Sequence, residues 1–144
     1  MNILSRKATL NDSGFIAELS GQLGYKTSAN NMLKRLTGLV NNTNHGVFVA
    51  VDDEAVVGWI HAFYSVTVES DPLVEIAGLV IDKAHHRKGI GQMLVNKVIA
   101  WTGTKDIGRI RVRSQVKRKE AHLFYQRIGF TEVKEQKVFD LGLT

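Results

Sequence analysis

"LVIDKAHHRKGIGQMLVNKVIAW", residues 79–101, decides how this chain is read. An apolar run gives way to His, Arg and Lys, then to Gly-Ile-Gly, then to apolar residues at helical spacing. Ile90, Met93, Leu94, Val98 and Trp101 recur at intervals of three and four, which predicts a helix over about residues 88–101. The run that begins ahead of it, LVEIAGLVID, is nearly all apolar, as expected of a strand covered on both faces. A helix N-terminus presents amide groups without intrahelical partners and about half a positive charge from the summed peptide dipoles. Gly89 and Gly91 remove side chains that would hold a ligand away from those amides, and His86, Arg87 and Lys88 add cations alongside. Phosphate or pyrophosphate is the matching ligand. A bare Gly-x-Gly also serves as a plain strand-to-helix turn with solvated cations around it. Two familiar phosphate motifs do not apply: a P-loop needs Gly-Lys followed by Ser or Thr, and the dinucleotide fingerprint needs a third glycine where Leu94 stands.

Working outward, NILSRKAT (residues 2–9) reads as a first strand, after which Asn11 or Asp12 caps a helix through residue 23 with Phe15, Ile16, Leu19 and Leu23 on one face. A second helix over about residues 28–40 aligns Met32, Leu33, Leu36, Leu39 and Val40. GVFVAVD and AVVGWIHAFYSV flank Asp52-Asp53-Glu54 and read as a hairpin, although the strong Asn-Gly or Asp-Gly signal is missing. GTKDIG breaks the central helix ahead of a strand in RIRVRS. Ala121, Phe124, Tyr125 and Ile128 then predict a last helix over about residues 118–128, with Gly129 as its left-handed cap. FTEVKEQKVFDLGL (residues 130–143) fits a closing strand pair. The helix between the strand ending near residue 82 and the one beginning near residue 107 implies a right-handed crossover and a parallel pair. The fold class is α/β (α+β), with a mixed, mostly antiparallel sheet.

The 144 residues suit a single domain, residues 1–144, with 44% hydrophobic and 23% charged residues in the balance of a globular protein. With no cysteine, disulfides, thiolate metal sites and cysteine nucleophiles are excluded. The five histidines form neither a His-x-x-x-His pair nor an HExxH motif, so no metal site is read. No run approaches a membrane span of about 20 apolar residues, and the N-terminus lacks a secretion signal, so no membrane partner and a cytoplasmic location are expected. The net charge of +5 favours an anionic partner, and much of the excess falls in residues 105–119.

The pair of stretches HRKGIG and AHLFYQRIGF resembles the GNAT superfamily of acyl-CoA-dependent N-acetyltransferases. The likeness covers the order of elements along nearly the whole chain and is most specific over residues 75–130. It implies a mixed, mostly antiparallel sheet of about six to seven strands flanked by four helices, with a parallel pair splayed apart at the cofactor site. By that resemblance acetyl-CoA is the cosubstrate, and the backbone of His86, Arg87, Lys88, Gly89, Ile90, Gly91 and Gln92 binds its pyrophosphate. The pantetheine arm would lie along Leu79, Val80 and Ile81, with an amide near Leu79 or Val80 as oxyanion donor, and Gln115, Ala121 and Phe124 would complete the cofactor contacts. His86 stands where the family usually has Arg or Gln, and Gln115 where Asn is common.

Acetyl transfer to an amine needs removal of a proton from nitrogen, stabilisation of an oxyanion, and an acid for the departing thiolate. Without cysteine, direct transfer in a ternary complex is the simpler course. The resemblance gives Tyr125 the acid role, and Glu75, on an apolar strand, is the candidate base, directly or through water; a packed Tyr and a solvated strand-end Glu are the plain alternatives. Tyr25, between the first two helices, would border the acceptor pocket by family analogy. Two rivals accompany this reading. One is a non-catalytic acyl-CoA sensor or subunit; the other is a nucleic-acid binder using three arginines on one face of RIRVR, which lacks an aromatic stacking platform. A homodimer is compatible with the fold, and no residue demands one.

Overall fold

The computed structural model describes residues 2–144. Five strands form one sheet in the order β1 (Ile3–Lys7), β2 (His45–Asp52), β3 (Ala55–Ser65), β4 (Leu73–Ile81) and β5 (Ile110–Val112). The first three pairings are antiparallel and β4–β5 is parallel. Helix α3 (Ile90–Gly103) makes the crossover between the parallel strands, as the pattern in residues 79–101 predicts. The β2–β3 hairpin turns at Asp53, whose φ of 56° is left-handed. Aspartate is one of the few residues that tolerate this, so the hairpin forms without the glycine its sequence lacks.

Alternation along β3 separates two covered faces. Gly58, Ile60 and Ala62 point toward α3. A Cβ at Gly58 would lie 3.3 Å from both Ile90 and Leu94, so the missing side chain lets the helix lie close to the sheet. On the opposite face α1 (Ser13–Gln22) and α2 (Ala29–Thr37) bury Ile16, Ala17, Leu19, Met32 and Leu36 against Val47, Val49, Val56 and Val80, with Trp59 packed beside them. Phe15, Leu23 and Leu33 remain 39–41% exposed. Small residues take inward places on α1 instead: Ala17, and Ser20, whose hydroxyl donates to the Ile16 carbonyl.

Local chemistry fixes the helix ends. Asp12 accepts two bonds from the Arg6 guanidinium at 2.8 and 2.9 Å and one from the Thr9 amide at 2.8 Å. Burial pushes its carboxyl up, but Arg6 and Thr9 more than offset this and hold it below the usual carboxylate range. Ser28 caps α2 by accepting from the Asn31 amide.

The described chain divides into two compact units, the first ending at Val112 and the second comprising Arg113–Thr144. The second contains α4 (Lys119–Arg127), which ends with Gly129 at φ 111° and the Phe130 amide bonded to the Tyr125 carbonyl, the left-handed cap expected there. The closing strand pair does not form: residues 130–144 hold no regular element, and Val133, Val138, Phe139, Leu141 and Leu143 are exposed. A lone two-stranded hairpin is marginal, and Lys134, Glu135, Gln136 and Lys137 offer no residue suited to a tight primed turn. The sheet therefore has five strands and not six to seven, while the four helices and the mixed, mostly antiparallel class stand. Among the described residues no helix is long and apolar enough to cross a membrane.

Candidate active site

Between β4 and α3 the chain passes through a 3-10 turn, Lys83–His85, and then alternates its backbone handedness. His86 is extended, Arg87 is left-handed at φ 65°, and Gly89 is left-handed at φ 77° as the N-cap of α3. Left-handed residues so spaced turn successive N–H groups toward one concavity, a backbone nest that suits an anion. The first α3 bond runs from the Met93 amide to the Gly89 carbonyl at 3.0 Å, so the amides ahead of it in the first turn lack an intrahelical acceptor. An ideal Cβ on Gly89 meets nothing within 4 Å, which leaves the space over the nest open. Arg87 and Lys88 are exposed beside it.

Residues far apart in sequence hold this loop. His85 bridges two carboxylates, with Nδ1 2.7 Å from Asp82 and Nε2 3.1 Å from Asp52 in β2. Gln22, the last residue of α1, donates to Asp82 at 2.8 Å and accepts from the Lys83 amide at 3.0 Å. The Gln22 bond, ahead of that from His85, keeps the Asp82 carboxyl below its ordinary range. The His86 ring donates through Nε2 to the Ile81 carbonyl at 3.0 Å and so closes the loop on itself. Its backbone belongs to the nest, while its imidazole is a clamp. Beside the loop lies an open groove of about 490 Å³ lined by Ser5, Gly89, Gln92, Met93, Asn96 and Lys97.

The second feature is an interrupted ladder. In β4, Gly78 pairs with His61 and Ile76 with Ala62, so Ala77 is an extra, bulged residue and is exposed. This is why β4 is not covered along its whole length as its apolar sequence suggests. β5 pairs only with Val74, Glu75 and Ile76, and the edge of β4 from residue 77 to residue 81 has no ladder partner on the β5 side. Leu79, Val80 and Ile81 lie on that edge, with the Val80 side chain buried among α1 and α2.

The register aligns His45, Phe63, Glu75 and Arg111 in one row across β2, β3, β4 and β5, on the sheet face that α1 and α2 partly cover. None of the four belongs to the buried core there. Glu75 is half-buried, directly opposite Arg111, whose Nε is buried without a hydrogen-bond partner. Arg111 is therefore partly covered, unlike the exposed Arg109 and Arg113 on either side of it in the sequence. One row away, His61 Nε2 lies 2.9 Å from His45 Nδ1, with the rings stacked 5.1 Å apart. Burial first, and then the neighbouring His45, push the His61 imidazole down to about 4.

That depression carries a stability prediction. The unfolded chain takes up a proton on His61 near pH 6.5, which the folded state refuses until about pH 4. The stability is fully present above 6.5 and is lost as pH falls toward 4, by about 2 kcal/mol once partial exposure is allowed for. Urea unfolding at pH 7 and pH 4.5 should show His61→Gln with a difference smaller by about that amount; an unchanged difference would contradict the buried neutral imidazole.

In the second unit, Tyr125 is half-buried between Phe124 and Phe130, with ring centroids at 5.2 and 5.5 Å. Burial pushes its phenol up, against a smaller opposing pull from Arg118, so the hydroxyl stays protonated at neutral pH. The His122 ring donates to the Gln115 carbonyl at 2.8 Å and ties α4 to the segment before it, and Ala121 is half-buried. Tyr25, in the first unit, is 53% exposed in the connection between α1 and α2. Sequence reading missed Gln22, Asp52, Asp82, His45 and His61. The HisHis pair at 85–86 was the available signal for the clamp, and the cross-strand histidines become visible only once the β2–β3 register is known.

Residues 15–130 match the model of the Acetyltransferase (GNAT) family. The chain is 28% identical over 117 residues to the uncharacterized N-acetyltransferase YhdJ of Bacillus subtilis (strain 168), a match covering 81% of this chain and 80% of that protein. It is also 28% identical over 144 residues to the aminoglycoside N(6')-acetyltransferase type 1 of Stenotrophomonas maltophilia, covering 96% of this chain and 92% of that one. Among solved structures, AAC(6')-Iy in complex with the bisubstrate analog CoA-S-monomethyl-acetylneamine aligns at a TM-score of 0.87, covering 99% of this chain and 100% of that one. At 16% identity that likeness speaks for the fold alone.

Proposed function

Because the chain belongs to the acetyltransferase (GNAT) family, we propose that it transfers an acetyl group from acetyl-CoA to a primary amine, directly within a ternary complex. The observation that carries the donor half is the clamped nest at residues 86–92 beside an unpaired β4 edge. The nest amides take the pyrophosphate, with Arg87 and Lys88 adding charge, and the groove along α3 accommodates the nucleotide end. The pantetheine amides add to the free edge at Leu79, Val80 and Ile81 as a strand would, which brings the thioester carbonyl to an amide of that edge as oxyanion donor. In this reading Gln115, Ala121 and Phe124 complete the cofactor contacts.

For the acceptor half, Glu75 faces an open, partly polar row of the sheet and serves as base, directly or through water. Tyr125 protonates the leaving thiolate, and Tyr25 borders the amine. The relative named for aminoglycosides makes amino sugars the first acceptors to try, ahead of polyamines and peptide amines. Calorimetric titration with acetyl-CoA, followed by free-thiol release across an amine panel, tests the proposal. Saturable donor binding with amine-dependent thiol release is expected. Donor binding without release from any amine would favour the acyl-CoA sensor, and absence of donor binding would end both.

A further inference from the structure

We propose that His61 and His45 form a proton relay that takes the proton from the acceptor amine and delivers it to solvent. The inference rests on the amine-acetylation reading above. Its basis is the 2.9 Å contact between His45 Nδ1 and His61 Nε2, which joins two rings through one nitrogen each. That contact holds a single proton. Each neutral ring carries one N–H and one lone pair, so the coupled pair presents one donor and one acceptor at its outer nitrogens, His61 Nδ1 and His45 Nε2. Neither outer nitrogen has a partner among the described residues. A proton entering at one end and leaving at the other exchanges these roles without lasting charge.

The pair stands where a proton must be moved. His61 shares its sheet face with Glu75, one row away, and its direct neighbour on β4 is Gly78, at the edge proposed to hold the thioester. The charged groups on that face are Glu75 from β4, Arg111 from β5 and, on β1 at its other side, Arg6 paired with Asp12, while β2 contributes His45. The residues of α1 and α2 packed there, Ile16, Ala17, Leu19, Met32 and Leu36, are all apolar. A low proton affinity at His61 suits a conduit, because the proton passes on and does not rest there.

The step balances. The amine lone pair forms the C–N bond while the carbonyl π pair moves to oxygen, and its return breaks the C–S bond and releases thiolate. The nitrogen gives its proton to Glu75, the base, which passes it through water to His61 Nδ1; the proton on His61 Nε2 passes to His45 Nδ1, and the proton on His45 Nε2 leaves to water. The thiolate takes one proton from the acid, which solvent replaces. After the products leave, a proton from water enters at His45 Nε2, the His45 Nδ1 proton returns to His61 Nε2, and the His61 Nδ1 proton leaves to the water that fills the emptied site, which restores the starting tautomers.

Steady-state kinetics of His61→Gln, His45→Gln and the double variant test this. Each single variant should lower kcat at pH 7 by about 10- to 100-fold, with acetyl-CoA affinity within about twofold by calorimetry. The double variant should be no worse than either single one, and all deficits should shrink toward pH 9.5, where hydroxide competes with the relay for the proton that nitrogen loses as the C–N bond forms. Independent of variant folding, nitrogen NMR of the wild-type protein should show the His61 ring neutral at pH 7, with one N–H. The relay is overturned by single variants with near wild-type kcat at pH 7, by losses that do not change with pH, by multiplicative losses in the double variant, or by a doubly protonated His61 ring at pH 7. Failure of every amine to release thiol from the wild type would instead remove the acetylation reading, and the relay with it.

Discussion

Gly89→Val should weaken acetyl-CoA binding at least about 100-fold, a loss of about 2.7 kcal/mol, while the protein stays folded. Gly89 occupies φ 77°, a left-handed conformation that costs an L-residue about 1–2 kcal/mol and a β-branched one more. An added Cβ meets no protein atom within 4 Å, so the side chain enters the space above the nest and not the core. Both effects fall on the phosphate site: the loop relaxes away from the geometry that converges its amides, and the branch stands where the ligand would sit. The helix below is held independently by Ile90, Leu94, Val95 and Val98, all buried. Calorimetry with acetyl-CoA, paired with thermal unfolding, separates the two readouts. Gly89→Ala should show the same direction with a smaller loss, and wild-type affinity in the valine variant would contradict the nest as the phosphate site.

Tyr125→Phe should lower kcat about 100-fold and leave acetyl-CoA affinity within about twofold. Removing the hydroxyl takes away a proton donor but retains the aromatic body that packs against Phe124 and Phe130. Because burial raises the phenol, the wild-type group is protonated at neutral pH and is available as the acid. An interaction made only as the thiolate leaves appears in kcat and in kcat/KM together, with ground-state binding unchanged. Single-turnover measurements would show whether the chemical step itself slows. A normal chemical rate would remove Tyr125 from the acid role and leave the phenol with packing alone.

The elements around residues 79–101 were legible because local rules and tertiary demands agree there. Strand β4 is apolar, α3 has helical spacing, and a helical crossover of this length suits a parallel pair. Ser28 likewise declared the start of α2, whereas of Asn11 and Asp12 the latter precedes α1 but spends its carboxylate on Arg6 and Thr9. The bulge at Ala77 was not legible, since it is a mismatch between β3 and β4 that neither strand encodes alone. The loop clamp shares this property: Gln22, Asp52 and His85 converge from three elements, and their spacings carry no periodic signal. The closing strands failed for the opposite reason. Residues 130–143 have strand-like composition, yet composition does not supply a pairing partner. His45 and His61 sit 16 positions apart, and only the β2–β3 register brings their rings together.

The central claim is that free amides at the start of α3 hold a diphosphate, and amide-resolved NMR titration addresses it most directly. With acetyl-CoA, the N–H signals of Gly89, Gly91 and Gln92 should shift saturably along one binding curve, whereas pantetheine, which lacks the diphosphate, should leave them in place. Saturating acetyl-CoA that perturbs other residues but not these amides would contradict the account.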